Sequence, residues 1–353
     1  MLTKRDSKMA QGIAILGMLC LHLFCRTGDL PYAPLIWIGE RPLIYYIGLF
    51  GDLCVPVFCF CSGYAQSLLY GKKPGGFLRS SGRRIVKFIS HFWIVVCLFC
   101  VVGLVMGHTA IPGDLPSFVG NMLLYDMSYN GAWWFVVTYV LLIPLTPVFV
   151  WCVNRFKPVL IVLGSGVIYF VSYVFRFVLV LNISNAVAAW VWNQLILLGT
   201  SQLAFAIGIV FQKYNVMDWL MARKERRPKC CAVAIAVLPA AMFLLRCIEP
   251  SLIIAPLSGL VTIISFHLWK KPAGIRWFLE YMGRHSTNIW LVHMFFYMTM
   301  FPKLIFASEI PVLILLVLLL ACIVTSYLVD GIEAVITKLT DGVRLRILQP
   351  KKK

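Results

Sequence analysis

An ionisable side chain held in hydrocarbon is costly, so each one found in an apolar stretch marks either chemistry or a structural pairing. The apolar stretches of this sequence hold few of them: His22, Asp52, His91, Arg176, His267 and His293. His22 follows Gly12 by ten residues on the first apolar run, which on a helix is about 15 Å of travel. An imidazole titrates near neutrality and burial keeps it neutral, so such a residue could act as a general base. Position alone favours a helix-end histidine bonded to a neighbouring carbonyl. Asp52, in Gly51-Asp52-Leu53-Cys54-Val55-Pro56, could orient a histidine or bind a substrate hydroxyl. It could also be no more than the polar end of a helix. His91, His267 and His293 read as satisfied polar residues between helices or at helix ends, and Arg176 as a partner in a structural ion pair.

A second candidate is the basic segment from Lys72 to Lys87, with Arg79, Arg83, Arg84 and Lys87. Arg83 and Lys87 stand four apart and Arg84 and Lys87 three apart, so each pair can share a helix face. At the end of a membrane span such a cluster could hold a phosphorylated cofactor through charge-assisted bonds. It could also serve only to anchor the chain at the membrane surface. The twelve cysteines are scattered through apolar runs. Cys97 and Cys100 have a C-x-x-C spacing but no second pair and no histidine beside them, so no metal site is expected.

The elements that must position these groups are apolar helices. Hydrophobic residues make up 61% of the 353 and charged residues 13%, with a mean hydropathy of +0.87. A soluble domain is about one quarter charged, whereas each membrane span needs about 20 mainly apolar residues. Runs of that length fall at 10–26, 44–70, 88–107, 132–152, 158–180, 188–211, 230–248, 251–269, 286–306 and 310–330, with a break expected near Pro56. Glu249-Pro250 separates the seventh and eighth as a short turn. The fold class is therefore all-α and polytopic, with about ten transmembrane helices.

The 32 Lys and Arg residues fall on alternate connections. All but Arg26, Arg41, Arg176, Arg246 and Lys303 lie on one side, which the positive-inside rule makes cytoplasmic, together with both termini. This distribution accounts for the net charge of +18 and turns the basic composition away from nucleic acid and towards the lipid bilayer. Lys4, Arg5 and Lys8 precede an apolar run without a small-x-small cleavage site, so that run reads as a retained helix. Outer loops are expected at 26–43, with Asp29, Glu40 and Arg41, and at 108–131. The organisation expected is one membrane domain over 1–335 and a basic cytoplasmic tail over 336–353, in a multi-pass protein of the cell membrane.

Five segments, in order, resemble the acyltransferase type 3 family of integral membrane acyltransferases. The family opens on a lysine-glycine-isoleucine-alanine stretch with a histidine ten residues after the glycine, and here Gln11-Gly12-Ile13-Ala14 leads to His22. Phe58-Cys59-Phe60-Cys61-Ser62-Gly63-Tyr64 is similar to its phenylalanine-x-x-x-serine-glycine-tyrosine pattern. Arg83-Arg84-Ile85-Val86-Lys87-Phe88 resembles its basic loop with two cations three apart. Trp133-Trp134-Phe135 with Tyr139 resembles its tryptophan-phenylalanine-x-x-x-tyrosine helix, and Gly283 to His293 its late glycine-to-histidine element. Gln11 stands where a cation is usual, and Lys87 where a second arginine is frequent.

The resemblance implies transfer of an acyl group, most often acetyl from acetyl-CoA, to a hydroxyl of an exported or lipid-linked carbohydrate, that is, O-acetylation of a polysaccharide or glycolipid. It implies that His22 is catalytic and that Arg79, Arg83, Arg84 and Lys87 bind the acyl-CoA co-substrate, with no permanently bound cofactor. Asp52 or Glu40 could orient His22, with Asp52 the expected partner. Trp133, Trp134 and Tyr139 are expected along the path of the acceptor, or else as packing residues of the interface. An alternative reading from the helices and their sparse buried charges is a transporter or flippase for a lipid or glycan.

Overall fold

A computed structural model describes residues 2–26, 28 and 30–348. Asp29 and residues 349–353 of the expected tail lie outside the described residues. In chain order the helices are α1 (Lys4–Phe24), α2 (Leu43–Phe50), α3 (Cys54–Lys72), α4 (Phe77–Val105), α5 (Leu115–Met122), α6 (Trp134–Leu142), α7 (Thr146–Arg155) and α8 (Pro158–Phe177). There follow α9 (Ala186–Lys213), α10 (Val216–Arg226), α11 (Pro228–Ile248), α12 (Ala255–Leu268), α13 (Ala273–Met294), α14 (Pro302–Ile305) and α15 (Pro311–Leu348). A two-residue antiparallel ladder, Trp37–Ile38 with Arg41–Pro42, closes the loop before α2.

Among the described residues seven helical stretches are long and apolar enough to cross a membrane, and a bent pair makes an eighth. The shorter Leu252–Leu268 and α13, whose first half carries Arg276, Glu280 and Arg284, occupy the remaining two expected segments. The protein is an all-α polytopic membrane protein.

The breaks in these rods have local causes. The expected interruption of 44–70 falls at the 3-10 turn Gly51–Leu53 rather than at Pro56. Pro56 sits in the first turn of α3, where its missing N–H has no intrahelical partner to lose. α6 and α7 meet at 58° around Pro144 and Pro147, which interrupt the helical ladder. α4 starts eleven residues before the expected 88, so the basic segment from Arg79 to Lys87 is helical and its cations fan round the axis. The span expected at 286–306 begins at Ala273 and passes into a π-helix over Phe295–Met300. Residues 336–348 of the expected tail continue α15.

α1 is the central rod. Thr3 and Asp6 form a capping box at its start, which satisfies two of the donors a helix N-terminus leaves open. Ala14, Ile15, Leu19 and Leu23 are completely buried, and α1 packs against α13, α2 and α3. α8 packs on α9 but leaves Val159, Leu163, Val167 and Phe170 exposed, as a lipid-facing helix must.

Two glycines set the α1–α13 crossing. A Cβ on Gly12 would lie 2.1 Å from the Leu279 carbonyl oxygen, and one on Gly283 1.8 Å from that of Lys8. Only hydrogen fits at either point, and close backbone approach is how membrane helices gain packing energy.

Candidate functional site

From that crossing the two helices run in the same direction. His22 lies ten residues beyond Gly12, and His293 ten residues beyond Gly283. Equal travel along parallel rods brings both side chains to the same height, about 15 Å from the glycines. The rings meet there: His22 Nδ1 is 2.7 Å from His293 Nε2, with ring centroids 4.9 Å apart. His293 Nδ1 is 2.8 Å from the Trp290 carbonyl oxygen. A carbonyl can only accept, so His293 carries its proton on Nδ1. In the neutral ring Nε2 then accepts, and His22 must donate from its own Nδ1. This leaves the lone pair of His22 on Nε2.

His293 is completely buried, whereas His22 lines a cavity of about 860 Å³. Nε2 is therefore the ring nitrogen that His22 keeps for the cavity. Sequence reasoning expected Asp52 to orient His22, and the structure replaces it with His293. Asp52 stands on the 3-10 turn before α3, and its Oδ2 accepts from Arg246 Nη2 at 2.5 Å. Arg246 has no exposed surface and also donates to the carbonyls of Glu249 and Ser251. A buried carboxylate takes a buried guanidinium before a neutral ring, because an uncompensated charge there is the costlier outcome. Asp52 still lines the cavity, and its Oδ1 is buried without a hydrogen-bond partner.

The turn bearing His293 is tied to the start of α6. Trp133 Nε1 and Asn130 Nδ2 both donate to the Leu291 carbonyl, at 3.0 and 2.9 Å, and Trp290 Nε1 donates to the Ala132 carbonyl at 3.0 Å. Phe295 begins the π-helix immediately after this turn, and wide turns of this kind frequently sit at functional sites. Trp133 is completely buried and does not line the cavity, so its role is to hold the histidine turn. Trp134 and Tyr139 do line it.

The cavity runs from the N-terminal end of α1, where Lys4, Lys8, Lys72 and Arg84 line it, to the end of the same helix at His22. Lys8 and His22 are separated by about 21 Å of helix rise. Arg84 donates through Nη2 to Ser81 Oγ (2.8 Å) and Gln66 Oε1 (3.2 Å), while its Nε is buried without a partner. Of the four cations expected to act together, Arg84 alone faces the cavity. Arg79 and Arg83 are exposed on other sides of α4, and Lys87 pairs with Glu333 of α15 at 3.4 Å. A helix turns about 100° per residue, so adjacent cations on α4 cannot all point one way. Lys4 and Lys8 of α1 and Lys72 of α3 line the cavity with Arg84.

The remaining candidates separate. His91 bonds Glu333 and Asn288, at 2.7 and 2.5 Å, away from the cavity. The ligand atoms of His91, Asp330 and Glu333 lie within 4.8 Å of one another, but hydrogen bonds and Lys87 already engage them. His267 is half-buried with Nδ1 unpartnered. Arg176, expected in an ion pair, instead stacks on Trp134 and Phe177, at 5.3 and 5.0 Å, and lines the far end of the cavity.

What the sequence reading missed was the pairing of His293, read there as a satisfied polar residue, with His22, although a signal was present: glycine, nine residues and histidine occur twice, at 12–22 and 283–293. A family model described as an acyltransferase domain matches residues 7–331. No curated protein and no solved structure matches the chain.

Proposed function

The chain belongs to the acyltransferase type 3 family and is thus a membrane acyltransferase; on that premise we propose that it moves acetyl, or another short acyl group, from acyl-CoA to a carbohydrate hydroxyl with His22 as base. The observation that carries this reading is the hydrogen-bond chain from the Trp290 carbonyl through His293 to His22. It leaves an unprotonated Nε2 on the one imidazole of the pair that lines the cavity. Family membership sets aside the transporter or flippase alternative.

The chemistry follows from that nitrogen. His22 Nε2 takes the proton of the acceptor hydroxyl as its oxygen attacks the thioester carbonyl. The positive charge formed on His22 is shared through Nδ1–H with the neutral His293 Nε2, whose orientation the Trp290 carbonyl fixes. When the tetrahedral centre collapses, the carbon–sulfur bond breaks, and the CoA sulfur leaves with the proton returned from His22 Nε2. The products are an ester and free CoA.

Lys4, Lys8, Lys72 and Arg84 suit the phosphates of the donor by charge. Pantetheine would then extend along the cavity past Gln11 and Ser62 to bring the thioester to His22. On this reading the basic end is cytoplasmic, the acceptor arrives at the far end, and the membrane is the cytoplasmic membrane. The test is mass profiling of surface glycans in a deletion strain complemented with wild type or His22→Ala. Wild type should restore an acyl mass increment that the variant lacks at equal membrane abundance. Restoration by His22→Ala sinks the assignment.

A further inference from the structure

The far end of the cavity contains a charge that catalysis by the histidine pair does not use. Arg176, in the last turn of α8, is half-buried and lines the cavity with Tyr173, Phe177 and Trp134. Its guanidinium carbon lies over the rings of Trp134 and Phe177, 5.3 and 5.0 Å from their centroids, and the group donates weakly to Thr200 Oγ1 at 3.4 Å. No carboxylate among the described residues forms an ion pair with it. Asp52, the one carboxylate among the described residues that line the cavity, is already paired with Arg246. Cavity lining at this end therefore carries one uncompensated positive charge beside a neutral ion pair and a neutral histidine pair.

The surroundings hold that charge in place. Tyr173 shares a hydrogen bond with Ser251 Oγ at 2.6 Å, and Tyr169 donates to the carbonyls of Leu252 and Ile253 at 3.0 and 3.1 Å. Trp134 follows directly on the turn that carries Trp133, the residue tied to the histidine element. Cation–π contacts with two rings hold the guanidinium without neutralising it, and its planar donor edge, engaged only by the long bond to Thr200, matches a carboxylate or phosphate. Removing a guanidinium from water without a counter-charge is costly, and a ligand anion would offset the cost.

We propose that Arg176 binds a negatively charged group, a carboxylate or a phosphate, on the sugar acceptor. The inference rests on the acyl-CoA-to-carbohydrate reading for the identity of the acceptor, but the anion site itself does not depend on turnover. The enzyme would then select acidic or phosphorylated glycans over neutral ones of the same shape. Aromatic walls would hold the sugar ring, and Arg176 would set which hydroxyl reaches His22.

The experiment uses the purified full-length protein with labelled acetyl-CoA and three matched acceptors: glucose, glucuronate and glucose 1-phosphate. Wild type is expected to favour one or both anions over glucose by about tenfold in kcat/KM, as one charge-assisted contact allows. Preference for glucuronate alone names a carboxylate as the ligand, and preference for glucose 1-phosphate alone names a phosphate. Arg176→Gln should bring the anions down to the level of glucose, and Arg176→Lys should keep part of the preference. Equal rates for the three acceptors, or an Arg176→Gln loss shared equally among them, would overturn the proposal.

Absence of any transfer or thioester consumption by wild type would sink the acyl-CoA reading and leave the anion site to a second measurement. That measurement is thermal stabilisation by glucuronate or glucose 1-phosphate without acetyl-CoA. Stabilisation lost in Arg176→Gln and kept in Arg84→Gln supports the site. No stabilisation of wild type, or stabilisation that follows Arg84 instead, overturns it.

Discussion

The two ends of the cavity are built in opposite ways. At the basic end Lys4, Lys8, Lys72 and Arg84 come from three different helices; Lys8 donates to the Gly283 carbonyl, but Lys4 and Lys72 have no fixed partner among the described residues and Arg84 leaves Nε unpaired. At the far end the groups around the base are locked, His22 on His293, Asp52 on Arg246 and Tyr173 on Ser251, and Arg176 is the exception. Loosely held charges suit a long anionic ligand that needs attraction more than aim. A proton transfer needs atoms placed to within a fraction of an ångström, and the far end is the one braced for it.

The contrast can be broken most severely at His22. His22→Ala should lower kcat by about 10² to 10⁴, the usual worth of a general base, with little change in the KM for acyl-CoA. A comparable rise in that KM would place His22 in donor binding instead. His293→Ala should follow, with a loss on the order of 10²-fold in kcat from misplacing the base. Steady-state kinetics on purified protein separates this from a folding defect if the melting temperature is also recorded.

Arg84→Ala should act at the other end, raising the KM for acyl-CoA about tenfold through loss of a charge-assisted contact. Arg79→Ala and Arg83→Ala should each stay within about twofold, since those side chains point away from the cavity. If all three behaved alike, the cations would be acting as a diffuse field rather than through Arg84. The smallest expected effect on chemistry, and the clearest on stability, is at the helix crossing. Gly12→Ala should destabilise by about 1–3 kcal/mol through overpacking against the Leu279 carbonyl, whereas Gly164→Ala has open space around it and should be neutral in thermal unfolding.

The same contrast explains what could be read from the sequence. Apolar length gave most of the spans directly, because lipid imposes it on any chain that crosses it. His22 was legible as an ionisable group in an apolar run. Its partner was not, because a histidine between helices looks alike whether it braces a base or satisfies a carbonyl; only the crossing at Gly12 and Gly283 pairs the two. Asp52 was misassigned because its true partner, Arg246, lies 194 residues away. The basic segment was legible as charge but not as geometry, since the α4 helix starts early enough to scatter Arg79, Arg83 and Lys87 away from Arg84. The π-helix at Phe295–Met300 has no proline or other local marker in the sequence, whereas the α6–α7 bend is written there as Pro144 and Pro147.

The central claim is a protonation state: His22 presents an unprotonated Nε2 to the cavity because its Nδ1–H is held as the donor to His293 Nε2. The direct measurement is nitrogen NMR of histidine-labelled protein, with the His22 signals assigned by their loss in His22→Gln. The geometry predicts His22 neutral and protonated on Nδ1, shifting towards the Nε2-protonated form in His293→Ala. A wild-type His22 protonated on Nε2, or unchanged by removal of His293, would contradict it.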